Sequence, residues 1–242
     1  MLGKKGEVNI SLKNFQEFSY YYNKKKFMEN LYEKYRIHID DSITKANKLE
    51  SKITDDILNI DGMTGKKTRH FYNNILNMDD ARYFEIGTWK GSSVCSAMFG
   101  NKAEIICVDN WSEFNGPKEE FLNNFEKFKG ENSANFLEQD CFTIDPKSLP
   151  KFNIYLYDGC HSREDQMKAL SHFIECLDEI FIFIVDDWFA VGCENVRSGT
   201  FDGILKCDLD ILYQVEIPQS KLGKSCAEDW WNGLYLAILK KK

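Results

Sequence analysis

The stretch "NIYLYDGCHSREDQ", Asn153 to Gln166, places a carboxylate and an imidazole three residues apart at the end of an apolar run. Ile154 to Tyr157 read as a buried strand, and Asp158, Gly159 and His161 follow it directly. A histidine that titrates near neutral pH can take a proton from a hydroxyl, and a nearby acid can orient it or share the work. The reading without chemistry is a turn, because Asp-Gly is a frequent turn pair and a histidine after a strand often lies at the surface.

A second acidic pair, Asp186 and Asp187, closes the next apolar run, "IFIFIVDDW". Parallel neighbouring strands lie about 4.8 Å apart. If the two runs are neighbours, Asp158, Asp186 and Asp187 converge, and three anions in a poorly solvated cleft repel one another. A divalent cation relieves that repulsion. Oxygen-only ligands favour Mg²⁺, Mn²⁺ or Ca²⁺, and Mg²⁺ commonly keeps positions open for water and substrate. Taken singly, each acid is as well explained by structure; Asp187, for example, can cap the segment after it.

These residues need a frame that delivers strand ends to one edge. From residue 80 onward, short apolar runs alternate with helical stretches: "RYFEIG" with "SSVCSAMF", "EIICVD" with "KEEFLNNFEKF", "NFLEQD", "NIYLYD" with "REDQMKALSHFIECL", and "IFIFIVDD" with "NVRSGTFDGILK". That alternation implies a mainly parallel sheet flanked by helices, with ligands beyond the carboxyl ends of the strands. Two further runs, "ILYQVEI" and "NGLYLAIL", lack a helix between them and suit an antiparallel ending. Residues 1–79 read as a helical extension or cap and 80–242 as the catalytic domain. In the extension, "SLKNFQEFSYYYNKKKFMENLYEKY" and "DSITKANKLESKITDDIL" each suggest a helix, and "DGMTGKKTRHFYNNIL" a glycine-bearing loop running into a third. The aromatic residues of the first stretch must bury against something, either the active site or a second copy of the chain.

The first strand meets its helix through "YFEIGTWKGSS". Gly87 and Gly91 allow a tight turn and close approach of a ligand to backbone, and Ser92 and Ser93 can cap the helix. The turn is neither G-x-G-x-x-G, since Trp89 stands at the second glycine, nor a phosphate loop, since no G-K-[ST] follows. Asp109, at the end of the second run, can accept ribose hydroxyls, with Trp111 packing near a base. Asp140 can meet an adenine amine.

The segments "FEIGTWKGSS", "ICVDNW", "FLEQDCF", "IYLYDGCHSREDQMKAL" and "FIFIVDDW" resemble those of class I S-adenosylmethionine-dependent methyltransferases, over residues 80 to 241. More narrowly, they are similar to the metal-dependent small-molecule O-methyltransferases that include the macrolide-sugar enzymes. The resemblance implies a Rossmann-like, seven-stranded α/β fold with an antiparallel last strand. It implies S-adenosylmethionine held by the turn from Glu85 through Gly87, Thr88 and Gly91 to Ser92, by Asp109, Asn110 and Trp111 at the ribose, and by Asp140, Cys141 and Phe142 at the adenine. Asp158 and Met63 complete that cofactor set, with Met63 and Thr64 on a loop that folds over it. It implies Asp158, Asp186 and Asp187 as metal ligands, with Mg²⁺ the first candidate, and His161 with Asp158 as the catalytic pair. Arg69, Arg197 and Thr200 are candidates to face the acceptor.

The expected reaction is methylation of a hydroxyl on a small polyhydroxylated molecule, a sugar or glycosylated metabolite. Three alternatives stay open: His161 acting as base without a metal, a nicotinamide-dependent reductase, and a non-catalytic nucleoside-binding subunit. A net charge of −7 argues against a nucleic-acid footprint. Amine- and cytosine-methylating motifs are absent. With no apolar stretch of signal or membrane-span length, and eight cysteines without a C-x-x-C pair, the expectation is a cytoplasmic protein with reduced thiols, free or as a homo-oligomer.

Overall fold

In a computed structural model, which describes residues 12–192, 194–219 and 226–242, the chain opens with α1 (Leu12–Asn47). One helix replaces the separate pair expected here. Its 36 residues contain neither glycine nor proline, so nothing interrupts it before Leu49 takes a left-handed φ of 58°. The rest of the expected second helix supplies only the short α2 (Asp55–Leu58). Tyr35, Ile39 and Ala46 recur on one face of α1 and are buried. Side chains of residues 12–18 and 20 lie outside the described set, so Phe15, Phe18 and Tyr20 are not placed, whereas Tyr21 and Tyr22 are exposed. α3 (Lys66–Leu76) follows.

The sheet then forms from β1 (Arg82–Ile86), β2 (Glu104–Asp109), β3 (Ser133–Glu138), β4 (Phe152–Tyr157), β5 (Leu177–Val185), β6 (Leu209–Ile217) and β7 (Leu234–Lys241), in the order β3-β2-β1-β4-β5-β7-β6. The helices between strands are α4 (Ser92–Met98), α5 (Lys118–Phe128), α6 (Arg163–Phe173) and α7 (Glu194–Lys206). β1 to β5 pair in parallel, and β7 runs antiparallel to both β5 and β6. This is the expected Rossmann-like methyltransferase architecture. In the β6–β7 connection, residues 220–225 lie outside the described set.

Alternation along the strands divides the core into two layers. Tyr83, Ile154, Leu156, Ile182 and Ile184 face α1, α3, α4 and α5, while Phe84, Tyr155, Tyr157, Phe183 and Val185 face α6 and α7. β4 is buried along its whole length, as a central parallel strand should be. Winding starts at β1, proceeds outward to β3, then crosses to β4 on the other side. The crevice between the carboxyl ends of β1 and β4 is therefore the switch point where such sheets bind ligands.

Six cysteines (95, 107, 141, 160, 176 and 207) are free thiols. Cys193 and the side chain of Cys226 are outside the described residues. No described helix is long and apolar enough to cross a membrane.

α6 and α7 approach closely because Gly199 and Gly203 present no side chain. A Cβ at Gly199 would stand 2.4 Å from the Arg163 carbonyl oxygen. Overpacking of this kind costs about 1–3 kcal/mol. Gly199→Ala is therefore expected to lower unfolding stability by that amount in urea denaturation; an unchanged midpoint would show that the helix pair has slack.

Candidate active site

The site is built on the turn after β1. Gly87 has φ 89°, and a Cβ there would fall 2.0 Å from the Asp158 carbonyl oxygen, so both its conformation and its neighbour demand glycine. The Gly87 amide donates to the Val108 carbonyl, and the Asp158 amide donates to that of Ile86. The turn thus sits wedged between the ends of β2 and β4.

Asp109 clamps this turn. Its Oδ2 accepts from the amides of Thr88 (2.9 Å) and Trp89 (2.8 Å), and its Oδ1 accepts from the amide of Trp111 (2.7 Å). Asp109 also borders the cavity, yet three bonds to backbone are what it makes here. Glu85 lies beneath the turn, not in the cavity. It accepts from Tyr83 Oη and Ser93 Oγ, both at 2.6 Å. Burial pushes its carboxyl up to about 7, against the pull of those two bonds. Gly91 begins α4 with φ 85°, packed beside Phe121. Trp111 is buried against Phe121, 5.1 Å between ring centroids, and donates its indole N–H to Trp89 O. Glu85, Gly91 and Trp111, expected at the cofactor, support the turn and do not border the cavity. On this side Trp89 and the exposed Phe114, rather than Trp111, border the cavity.

The cavity encloses about 790 Å³. Of the expected cofactor residues it is bordered by Met63, Gly87, Thr88, Ser92, Asp109, Asn110, Asp140, Cys141, Phe142 and Asp158. Asp140 caps a short 3-10 turn by accepting from the Phe142 amide at 2.9 Å. Thr64 closes the other side through a 3.0 Å hydroxyl contact with Ser92. The expected acceptor-facing residues lie elsewhere. Arg69 is buried and donates to the carbonyls of Ile57, Ile60 and Thr64, holding the loop that carries Met63. Arg197 packs over Phe189, and Thr200 bonds to Gln166. Neither borders the cavity.

β4 and β5 are neighbours, with Tyr157 level with Val185, so Asp158 and Asp186 emerge side by side as anticipated. The tightest convergence is nevertheless Asp158, His161 and Asp187, one donor atom from each lying within 4.8 Å of the others. Asp186 belongs to a different set of contacts. Its Oδ2 accepts from Tyr72 Oη on α3 (3.3 Å), and its Oδ1 accepts from the Asp187 amide (2.8 Å). The cause is local backbone: Asp187 takes a left-handed φ of 57°, which parts the two side chains. Asp187 Oδ2 meets His161 Nε2 at 2.8 Å, and its Oδ1 accepts from Asn232 Nδ2 at 2.6 Å.

The electrostatics follow. Burial, with the charges of Asp186 and Asp187 adding to it, holds the Asp158 carboxyl well above the usual range. Burial and Asp187 do the same to Asp186. Burial would also raise Asp187, but the bonds from His161 and Asn232 outweigh it and the carboxyl is pulled down. The bond to Asp187 raises His161, against partial burial. Such a group can bind a dication or move a proton. The other histidines do neither here: His38 and His172 bond to the Ile75 and Ile144 carbonyls, and His70 to Ser51.

Sequence reasoning missed Tyr72 and Asn232. Tyr72 gave no signal beyond apolar periodicity in α3. Asn232 had one: in an antiparallel β5–β7 pair, whatever precedes β7 lies beside whatever follows β5.

Glu85 offers a test of this geometry. An acid that keeps its proton to about pH 7 when folded, against about 4.5 as the ordinary value, costs the folded state stability as pH rises between those values. Glu85→Gln is therefore expected to gain stability relative to the wild type between pH 5 and pH 7.5, as read by urea midpoints. A difference that is flat with pH would contradict the buried carboxyl.

Residues 84–188 match a protein-family profile described as a methyltransferase domain. No curated protein matches the sequence. Among solved structures, the chain is similar to SMU.776 in complex with SAH, S-adenosylhomocysteine, at 15% identity and TM-score 0.52, covering 74% of this chain and 50% of that one. It is similar to TrmN from Thermus thermophilus at 11% identity and TM-score 0.52, covering 77% and 52%. It is also similar to the O-methyltransferase from Bacillus cereus in complex with SAH, at 10% identity and TM-score 0.51, covering 83% and 91%. The chain spans about half the length of SMU.776 and TrmN. The chain thus matches a methyltransferase-domain profile over residues 84–188 and shares its fold with these three structures.

Proposed function

We propose that the protein is an S-adenosylmethionine-dependent O-methyltransferase that acts on a hydroxyl of a small polyhydroxylated molecule, such as a sugar or glycosylated metabolite, with a divalent cation at the acid cluster. The observation that carries the reading is the convergence of Asp158, His161 and Asp187 beside a glycine turn of methyltransferase type. The two relatives solved with SAH support the cofactor. So does Thr88, which borders the cavity and whose buried hydroxyl has no partner among the described residues.

The donor set also fits a dication. Three carboxyls gather at the ends of β4 and β5, and burial with neighbouring carboxylates holds two of them, Asp158 and Asp186, above their ordinary range. Asp158 and Asp187 would hold the ion, with Asp186 adding its charge, and the ion would supply positive charge that eases ionisation of an acceptor hydroxyl. S-adenosylmethionine supplies the methyl group.

The chain's own residues do the rest. The turn from Gly87 to Ser92 positions the cofactor's amino-acid end, and Asn110 with Asp140 to Phe142 positions the nucleoside. His161, held by Asp187, takes the proton that the acceptor hydroxyl loses as its oxygen gains the methyl group. Holding the reacting atoms in line is a large share of what an enzyme offers such a transfer. The 2.8 Å contact of His161 with Asp187 also favours a second reading, in which this dyad works without a metal.

Seven carboxylates border the cavity, and among the described residues no lysine or arginine does. That lining disfavours phosphate-bearing acceptors, nucleic acids included, because binding them requires basic partners. Transfer of labelled methyl groups from S-adenosylmethionine to a panel of sugar acceptors tests the proposal. His161→Ala is expected to lower turnover by about 10²–10⁴ while SAH affinity by calorimetry is retained. Turnover restored by Mg²⁺ after chelation separates the metal reading from the dyad. Undiminished turnover in His161→Ala would defeat both.

A further inference from the structure

The turn before β7 enters the site through one side chain. Gly233 and Asn232 both have left-handed backbones, φ 76° and 52°, and the turn closes through the Gly233 amide on the Trp230 carbonyl. Backbone bonds hold it to the segment after β5: the Trp188 amide donates to Gly233 O, and the Phe189 amide donates to Asn232 O at 2.8 Å. A Cβ at Gly233 would stand 2.5 Å from the Ile217 carbonyl, so the turn is also pinned against the end of β6. Asn232 therefore projects from a fixed point and donates to Asp187 Oδ1.

That bond divides the two oxygens of Asp187. Oδ1 is occupied by Asn232, and Oδ2 faces His161 and the space shared with Asp158. An amide donor orients without neutralising. A lysine in its place would cancel the charge that a dication or an imidazolium needs, and an aspartate would add another repelling carboxylate.

Building on the function proposed above, we infer that Asn232 is the positioning residue that aims Asp187, leaving Oδ2 as its one working oxygen. Asn232 touches Asp187 and acts through it. Outer-shell hydrogen-bond partners of this kind tune metal affinity or activity by roughly 10- to 100-fold.

Asn232→Gly is the informative variant. Glycine accepts φ 52° without strain, so the turn is preserved and only the amide is lost. Mn²⁺ alone, followed by electron paramagnetic resonance, is expected to bind the variant roughly 10- to 100-fold more weakly than the wild type. SAH affinity, which the proposed function assigns to the Gly87–Ser92 turn and Asp140–Phe142 and not to Asn232, is expected to hold within a few-fold. A variant that binds Mn²⁺ as the wild type does would overturn the inference. Should the wild type itself bind no Mn²⁺, the metal reading fails, and a crystal structure of Asn232→Gly decides the inference alone. Asp187 turned away from His161 supports it; Asp187 unmoved, with Oδ2 still on His161, refutes it.

Discussion

Two carboxylates end neighbouring strands at the same level, and the fold gives them no fixed cation. That repulsion between Asp158 and Asp186, with Asp187 one residue further on, is the constraint to which the rest of the site answers. In a buried setting like charges cannot all ionise without compensation. The compensation present is made of hydrogen bonds: Tyr72 on Asp186, and His161 and Asn232 on Asp187. Asp158, whose carboxyl is held up by burial and by the charges of Asp186 and Asp187, is left facing the cavity, where a cationic ligand would offset that repulsion. Charge that is stabilised only when a ligand arrives is charge available for binding.

The glycine turn is joined to this cluster by direct contact. Gly87 lies against the backbone of Asp158, so the cofactor side and the acid side cannot move independently. Asp109 draws the turn down over β2 by two amides, and Glu85 anchors the start of α4 from below. Glu85 of β1 is buried against two hydroxyls, and Asp109 of β2 binds backbone amides at the cavity's edge. By contrast, Asp158, Asp186 and Asp187, after β4 and β5, line the cavity without backbone amides of the turn to hold.

Much of this was legible in the sequence. Apolar runs ended by acids located β2, β4 and β5, a run meeting a glycine turn located β1, and the missing helix between the last two runs foretold the antiparallel ending. The D-G-x-H spacing marked His161 as a site residue, though not its contact with Asp187. What escaped depended on torsions that residue type does not dictate. Asp187 at φ 57° separated it from Asp186, exchanging Asp186 for His161 in the tightest cluster. Left-handed residues at 111, 114 and 115 decided which aromatic turns inward, burying Trp111 and presenting Phe114. The single long α1 escaped because a helix without glycine or proline continues past a change in pattern. Arg69 escaped because burial among carbonyls leaves no periodic trace.

β7 lies between β5 and β6, although β6 precedes it in the chain. During synthesis β6 emerges with no strand to join, since its pairing is with β7 alone. The edge of β5 is likewise uncovered until β7 slides in. Closure of the sheet, delivery of Asn232 to Asp187 and shielding of the aromatic layer around Trp188 and Tyr235 then occur in one step. Such late pairing slows folding, and until β7 docks, the acids after β4 and β5 lack the hydrogen bond from Asn232.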